Sequence, residues 1–237
     1  HNAWIVSHAY QTQPLFVSYL ANGTGTVNMK ILIIGASRGV GKALMEEALK
    51  EDHQVRVLAR TPDKIESTDP RLDLVQGDVR DLQSVSEAAK DMDIICSCIG
   101  VPITFKAVDL FSVGATNLVT VVDQQPKLKL IAVTGIGAGD SKGHGGFLYD
   151  RIFKPLFLKS IYEDKDREEE IIASSNIDWL IVRPAGLTNG PRTGNYRIIN
   201  DLEGNVARRI SRRDVADFIL SQMIRPTQFG KTPLITY

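Results

Sequence analysis

Met29-Lys-Ile-Leu-Ile-Ile-Gly35-Ala-Ser-Arg-Gly-Val-Gly41-Lys-Ala-Leu-Met45 is the stretch on which the fold turns. Lys30–Ile34 is a continuous, β-branched apolar run, the pattern of a strand buried on both faces of a parallel sheet. Val40–Leu49 carries the periodicity of a helix. Between them stand three glycines with distinct tasks. Gly35 lets the chain turn sharply off the strand. Gly39 lets backbone approach a pyrophosphate with no Cβ in the way, and Gly41 allows the helix to lie close to the sheet. The helix N-terminus then offers free N–H groups and a partial positive charge to phosphates. A strand before the turn and a helix after it are the context that makes such glycines a dinucleotide signature. Gly35, Ser37, Arg38, Gly39, Val40 and Gly41 are the expected contacts.

Outward from this turn, short apolar runs at Gln54–Ala59, Leu72–Val75, Asp93–Cys98, Lys129–Val133 and Trp179–Val182 alternate with helical stretches. The helices are expected at Asp81–Ala89 (Asp81 as N-cap), Val108–Val122 and Lys165–Ser174. Strand–helix alternation of this length predicts an α/β fold, a Rossmann-type doubly wound parallel sheet with helices on both faces. Residues 29–237 are expected to form a single NAD(P)-binding domain with small C-terminal substrate-side loops. Residues 1–28 contain no Lys, Arg, Asp or Glu and read as a leader, a tag or a disordered extension. Glycine-rich Thr134–His144 and the Pro/Gly/Asn-rich segment Pro184–Leu202 follow strands, where ligands sit in open α/β sheets.

The second strand ends Leu-Ala-Arg60, with arginine where an acidic residue would grip the ribose hydroxyls of NAD. Arg60 together with Arg38 suits a 2′-phosphate, which favours NADP(H) over NAD(H). At the third strand's end, Asp78 is placed to accept from the adenine amino group, or else to cap the next helix, and Val79 to pack on the ring. Cys98 and Gly100, at the end of the fourth, are expected beside the cofactor.

Composition excludes several classes. Lys plus Arg equals Asp plus Glu, at 28 each, so the whole chain has no field to draw nucleic acid or an anionic membrane. No run approaches a membrane span, and neither a basic n-region nor an unbroken apolar h-region marks a secretory signal. The histidines His1, His8, His53 and His144 make no ligand spacing, and no metal is expected. Cys96 and Cys98 read as buried thiols in a core strand of a reduced, cytoplasmic protein. Arg208–Arg213 is basic, but Ser211 three residues before Asp214 reads as a helix cap rather than a nucleic-acid patch. Glu163–Glu170 reads as the solvated face of a helix. The apolar stretch with Phe147, Phe153, Phe157 and Tyr162 fits a substrate pocket, a core cover or a subunit contact. A small-molecule substrate is the expected partner, with a homodimer or a protein partner left open.

Taken together, Gly35–Gly41, Gly77-Asp78-Val79, Val133-Thr-Gly-Ile-Gly137, Trp179-Leu-Ile-Val-Arg-Pro-Ala-Gly186 and Ile210-Ser-Arg-Arg-Asp-Val-Ala216 resemble the short-chain dehydrogenase/reductase superfamily. Within it the chain is most similar to the atypical NAD(P)H-binding members, the NmrA-like proteins and the biliverdin reductase B/flavin reductase group. The resemblance covers residues 30–237. It implies that Pro184, Ala185, Gly186 and Leu187 pass the nicotinamide end of the cofactor. It also implies a Ser, a Tyr and a Lys for the chemistry, with the Tyr four residues before the Lys. Thr134 stands where the Ser is expected. Lys165 falls at the Lys position, where it would also hold the cofactor. Ile161 occupies the Tyr position, leaving Tyr162 and Tyr149 as other hydroxyl candidates.

Carbonyl reduction needs a proton donor near the developing alkoxide, whereas a conjugated acceptor can take its proton from solvent. The expectation is therefore an NADP(H)-dependent oxidoreductase acting on a flavin, quinone or similar acceptor. A non-catalytic NADP(H) redox sensor is the first alternative, and a sugar epimerase or reductase the second.

Overall fold

The computed structural model describes residues 28–102, 104, 106–138, 159–203, 205 and 207–237. The strands are β1 (Lys30–Ile34), β2 (Gln54–Ala59), β3 (Leu72–Gln76), β4 (Ile94–Ser97), β5 (Lys129–Val133), β6 (Trp179–Pro184), β7 (Gly186–Thr188), β8 (Arg197–Ile199), β9 (Arg209–Ser211) and β10 (Leu234–Thr236). The α-helices are α1 (Gly39–Lys50), α2 (Leu82–Ala88), α3 (Leu110–Asp123), α4 (Lys159–Ala173) and α5 (Arg212–Ile224). Eight strands form one sheet in the order β3-β2-β1-β4-β5-β6-β10-β8, parallel except for β8, which runs antiparallel to β10. The expected doubly wound sheet is therefore present, with β1 lying between β2 and β4 at the point where strand order reverses.

The period-two alternation of a strand divides the core into two layers. Ile31 and Ile33 of β1 join α1 and α5 in one apolar cluster. Leu32 and Ile34, from the same strand, join α2 and α3 in the other. Four residues in a row of β1 and of β4 are buried, which is why these strands read as unbroken apolar runs rather than alternating ones.

Local signals account for the starts of two helices. Asp81 caps α2, its carboxylate accepting from the Gln83 and Ser84 amides, so the capping role falls to Asp81 rather than Asp78. Ser211 caps α5 by accepting from the Asp214 N–H at 3.0 Å. Helix α3 has no such local cap. The carboxylate of Asp164, on α4, accepts from the Phe111 N–H at 2.8 Å and the Ser112 hydroxyl at 2.5 Å, satisfying an orphan amide of a neighbouring helix. Among the described residues, no helix is long and apolar enough to cross a membrane, and no group of three or more His, Cys, Asp or Glu is gathered as for a metal ion.

Candidate functional site: the cleft at the glycine turn

A cleft of about 770 Å3 opens at the carboxyl ends of the central strands. The glycine turn forms its floor. Gly35 and Gly39 have φ of +91° and +68°, in the left-handed region that favours glycine. A Cβ on Gly35 would lie 2.6 Å from the Cys98 carbonyl oxygen, and one on Gly41 would overlap the Gly35 carbonyl oxygen. Those two glycines permit close packing of the turn against β4 and the helix. A Cβ on Gly39 or on Gly100 would meet nothing within 4 Å. Arg38, the N-cap of α1, makes no side-chain capping bond. The turn thus combines open space with uncapped helix amides, a cradle that fits the phosphates of a dinucleotide.

Ser37, Arg38 and Gly39 are exposed on the cleft, with Val40 buried beneath them. Cys98 and Gly100 also line it. The expectation that both cysteines sit in a core strand needs correcting. Cys96 is in β4, but the strand ends at Ser97 and Cys98 lies half-buried at the cleft wall. Burial pushes its thiol up to about 12, with Lys165 opposing, so it stays protonated at neutral pH.

Most of the other candidates lie off the cleft wall. Arg60 is exposed just past β2, and neither it nor Arg38 makes an ion pair with a described carboxylate. Asp78 accepts from the Arg80 N–H at 3.0 Å. Val79 is buried, and its methyls lie 3.1 Å from where a Cβ on Gly114 would stand, so α3 claims much of its surface. Pro184 and Ala185 continue the core: the Pro184 carbonyl accepts from Ile136 N–H, and Ala185 N–H donates to Ile235, each at 3.0 Å. Gly186 and Leu187 are exposed in β7, and Leu187 reaches the cleft.

Helix α4 supplies the opposite wall. Its bounds extend six residues earlier than the periodicity suggests, which places Ile161 and Lys165 one turn apart on the cleft. The Lys165 ammonium is buried, 3.9 Å from the centroid of the Phe111 ring. It donates to Glu168 Oε2 at 3.1 Å. Burial pushes the Glu168 carboxyl above its ordinary range, with Lys165 pulling it down. Tyr162 turns away from that pair, its hydroxyl donating to the Ile136 carbonyl at 2.9 Å. Tyr149 lies outside the described residues, as do Phe147, Phe153 and Phe157.

Thr134, just beyond β5, donates its hydroxyl proton to Glu169 Oε1 at 2.6 Å. Glu169 in turn accepts from Arg183 Nη2 at 2.6 Å and Nε at 3.1 Å, a bidentate pair buried on both sides. The reading of Glu163–Glu170 as a solvated face is thereby overturned. Asp164, Lys165, Glu168 and Glu169 are all buried, while Glu163, Arg167 and Glu170 are exposed. Each buried charge has a tertiary or neighbouring partner, the condition on which such groups persist inside a fold. Glu169 and Arg183 were not singled out from sequence. The usable signal was Arg183, a lone charge in the apolar run Trp179-Leu-Ile-Val-Arg-Pro184.

The model of the NAD(P)H-binding family matches residues 35–226, and the chain belongs to that family. The sugar epimerase YhfK of Bacillus subtilis, itself uncharacterised, is 27% identical over 207 residues, 82% of this chain and 88% of its own. Among solved structures, the oxidoreductase ylbE of Lactococcus lactis superposes with a TM-score of 0.74 at 23% identity, covering 88% of this chain and 90% of that one. ChuY, an anaerobillin reductase of Escherichia coli O157:H7, gives 0.69 at 22%, covering 87% and 96%. The expected NAD(P)H-binding family is thus shown by the family model, and the expected Rossmann-type fold by the solved structures.

Proposed function

We propose that this protein is an NADP(H)-dependent oxidoreductase that passes a hydride to a small conjugated acceptor such as a flavin, a quinone or a tetrapyrrole. The observation that carries this reading is Ile161, an apolar side chain on the cleft one turn before Lys165. A simple ketone or an alcohol substrate needs a protein acid or base at the reacting oxygen. Among the described residues, the candidate hydroxyls are committed elsewhere, Thr134 to Glu169 and Tyr162 to Ile136. Bound nicotinamide would supply the hydride. The chain's own part is to hold the phosphates at the glycine turn, to fix Lys165 by Phe111 and Glu168, and to leave the acceptor's protonation to water. The same argument disfavours a sugar epimerase, whose alcohol oxidation would need a base where Ile161 stands. A conjugated acceptor is also in keeping with ChuY, an anaerobillin reductase.

NADP(H) is favoured over NAD(H) by two exposed guanidiniums, Arg38 and Arg60, with no described carboxylate to neutralise them. The test is NADPH and NADH oxidation with flavins, quinones and aldehydes. Turnover of flavin or quinone with a preference for NADPH, and none with aldehydes, is expected. Tight NADPH binding with no turnover of any acceptor would overturn the enzymatic reading and leave the redox sensor. Equal use of both cofactors would overturn the NADP(H) assignment.

A further inference from the structure

We propose that Arg212 receives an anionic group, a phosphate or a carboxylate, carried by the acceptor; this rests on the cofactor-and-acceptor reading of the cleft. The chain as a whole is electrically balanced, but the cleft is not. Among its described charged lining residues, Arg38, Lys42, Lys165, Arg212 and Arg213 are cationic and Glu46 alone is acidic. Three arginines stand at the corner where α5 meets α1, and two of them are neutralised. Arg192 pairs with Glu51 at 2.6 Å and with Asp217 at 2.5 Å. Arg213 pairs with Glu47 at 2.9 Å and Glu46 at 3.5 Å. Arg212 is different. Its Nη1 donates to the neutral Asn189 Oδ1 at 2.8 Å, and no described carboxylate is paired with it.

Backbone pairing explains the placement. Strands β7 and β9 run parallel with Thr188 opposite Ser211, which brings the next residue on each, Asn189 and Arg212, side by side on the cleft. Asn189 orients the guanidinium without quenching its charge, leaving the other donors of a planar fork for a bidentate anion. Asn189, which holds Arg212, follows β7, the strand that continues directly from β6. The pyrophosphate belongs at the glycine turn, and a 2′-phosphate belongs with Arg38 and with Arg60 beyond β2. The group left for Arg212 is therefore on the acceptor.

FMN and riboflavin share one ring system and differ by a terminal phosphate, so they isolate this contact. Binding is read by quenching of flavin fluorescence on the NADP+-saturated protein, with Kd for NADPH and NADH measured in parallel. The native protein is expected to bind FMN at least about tenfold more tightly than riboflavin. Arg212→Gln is expected to erase that preference while leaving riboflavin and both dinucleotides within about twofold, and Arg212→Lys to restore part of it. Equal affinity of the native protein for the two flavins, including binding of neither, would overturn the proposal. So would an FMN preference that survives Arg212→Gln. A variant that weakens NADPH more than NADH would overturn it by assigning the arginine to the cofactor's 2′-phosphate. Because the readout is binding, absence of NADPH oxidation would count against the enzymatic reading alone.

Discussion

Replacing Gly39 and replacing Gly41 with alanine test different properties of one turn. At Gly39 the space is open but φ is +68°, so a side chain meets backbone strain of about 1–2 kcal/mol rather than a clash. At Gly41 the conformation is ordinary, but the Cβ would overlap the Gly35 carbonyl and lie 3.0 Å from the Cys98 Cβ. Gly39→Ala is expected to fold with a modestly lowered melting temperature and to lose at least about tenfold in dinucleotide affinity, because its Cβ stands where the pyrophosphate belongs. Gly41→Ala is expected to be the less stable of the two, since the helix must shift away from the sheet. Thermal denaturation with and without NADPH separates them: a Gly39→Ala protein stabilised by NADPH as much as the native one would count against the cradle.

At the scale of elements, α4 decides how the site is held. Removing one partner of its buried pair strands the other charge, and Glu169→Gln is expected to cost about 3–5 kcal/mol in chemical denaturation. Replacing both Glu169 and Arg183 with methionine is expected to cost much less than the sum of the single changes; additive losses would mean that the two act independently. The same helix shows what the sequence conceals. Strands β1, β2 and β5 are legible residue for residue; in β1 and β5 burial on both faces forces four consecutive apolar residues, and in β2 the apolar residues survive the interruption by Arg56. The glycine turn is legible because few backbones require three glycines in that spacing. Helix α4 is not, since a charge run looks the same whether its charges face water or buried partners far along the chain. Asp164 caps α3 from 53 residues away, and Arg183 of β6 reaches Glu169 from beyond the end of the helix, so neither partner lies within α4 itself. The three-residue strands β7–β10 escape for a related reason: each is shorter than the period needed to recognise it, and they pair with partners distant in sequence. Arg212 depends on that pairing and stays hidden with it.

Across the whole molecule, the two helices of one layer are joined by charge. Glu47 of α1 meets Lys50, Arg192 and Arg213. Burial works to raise its pKa, but these three cations overcome it and hold the carboxyl below its usual range. Asp214, fully buried, is held low in the same sense: burial is outweighed by the Tyr237 hydroxyl, the Gly194 and Thr193 amides and the Thr193 hydroxyl. For depressed carboxyls the stabilisation is present above the unfolded value, about pH 4, and is lost as pH falls through the folded values. His53 acts nearer neutrality. Burial, opposed by Glu51 and Asp52, lowers its pKa, and its Nδ1 accepts from the Met29 N–H. The unfolded chain therefore takes up a proton first, so stability is expected to be full above about pH 6.5 and to decline below it. Urea midpoints between pH 5.5 and 7.5 measure the slope, which His53→Gln is expected to flatten; an unchanged slope would exclude His53 as its source. The clasp around Asp214 has a kinetic consequence as well. Its carboxylate accepts from the Thr193 amide at 2.6 Å and the Gly194 amide at 2.9 Å, in a segment with no regular secondary structure. In D2O those two amide protons should exchange as slowly as those of the central strands, so that an irregular stretch beside the cleft opens only when the molecule as a whole does.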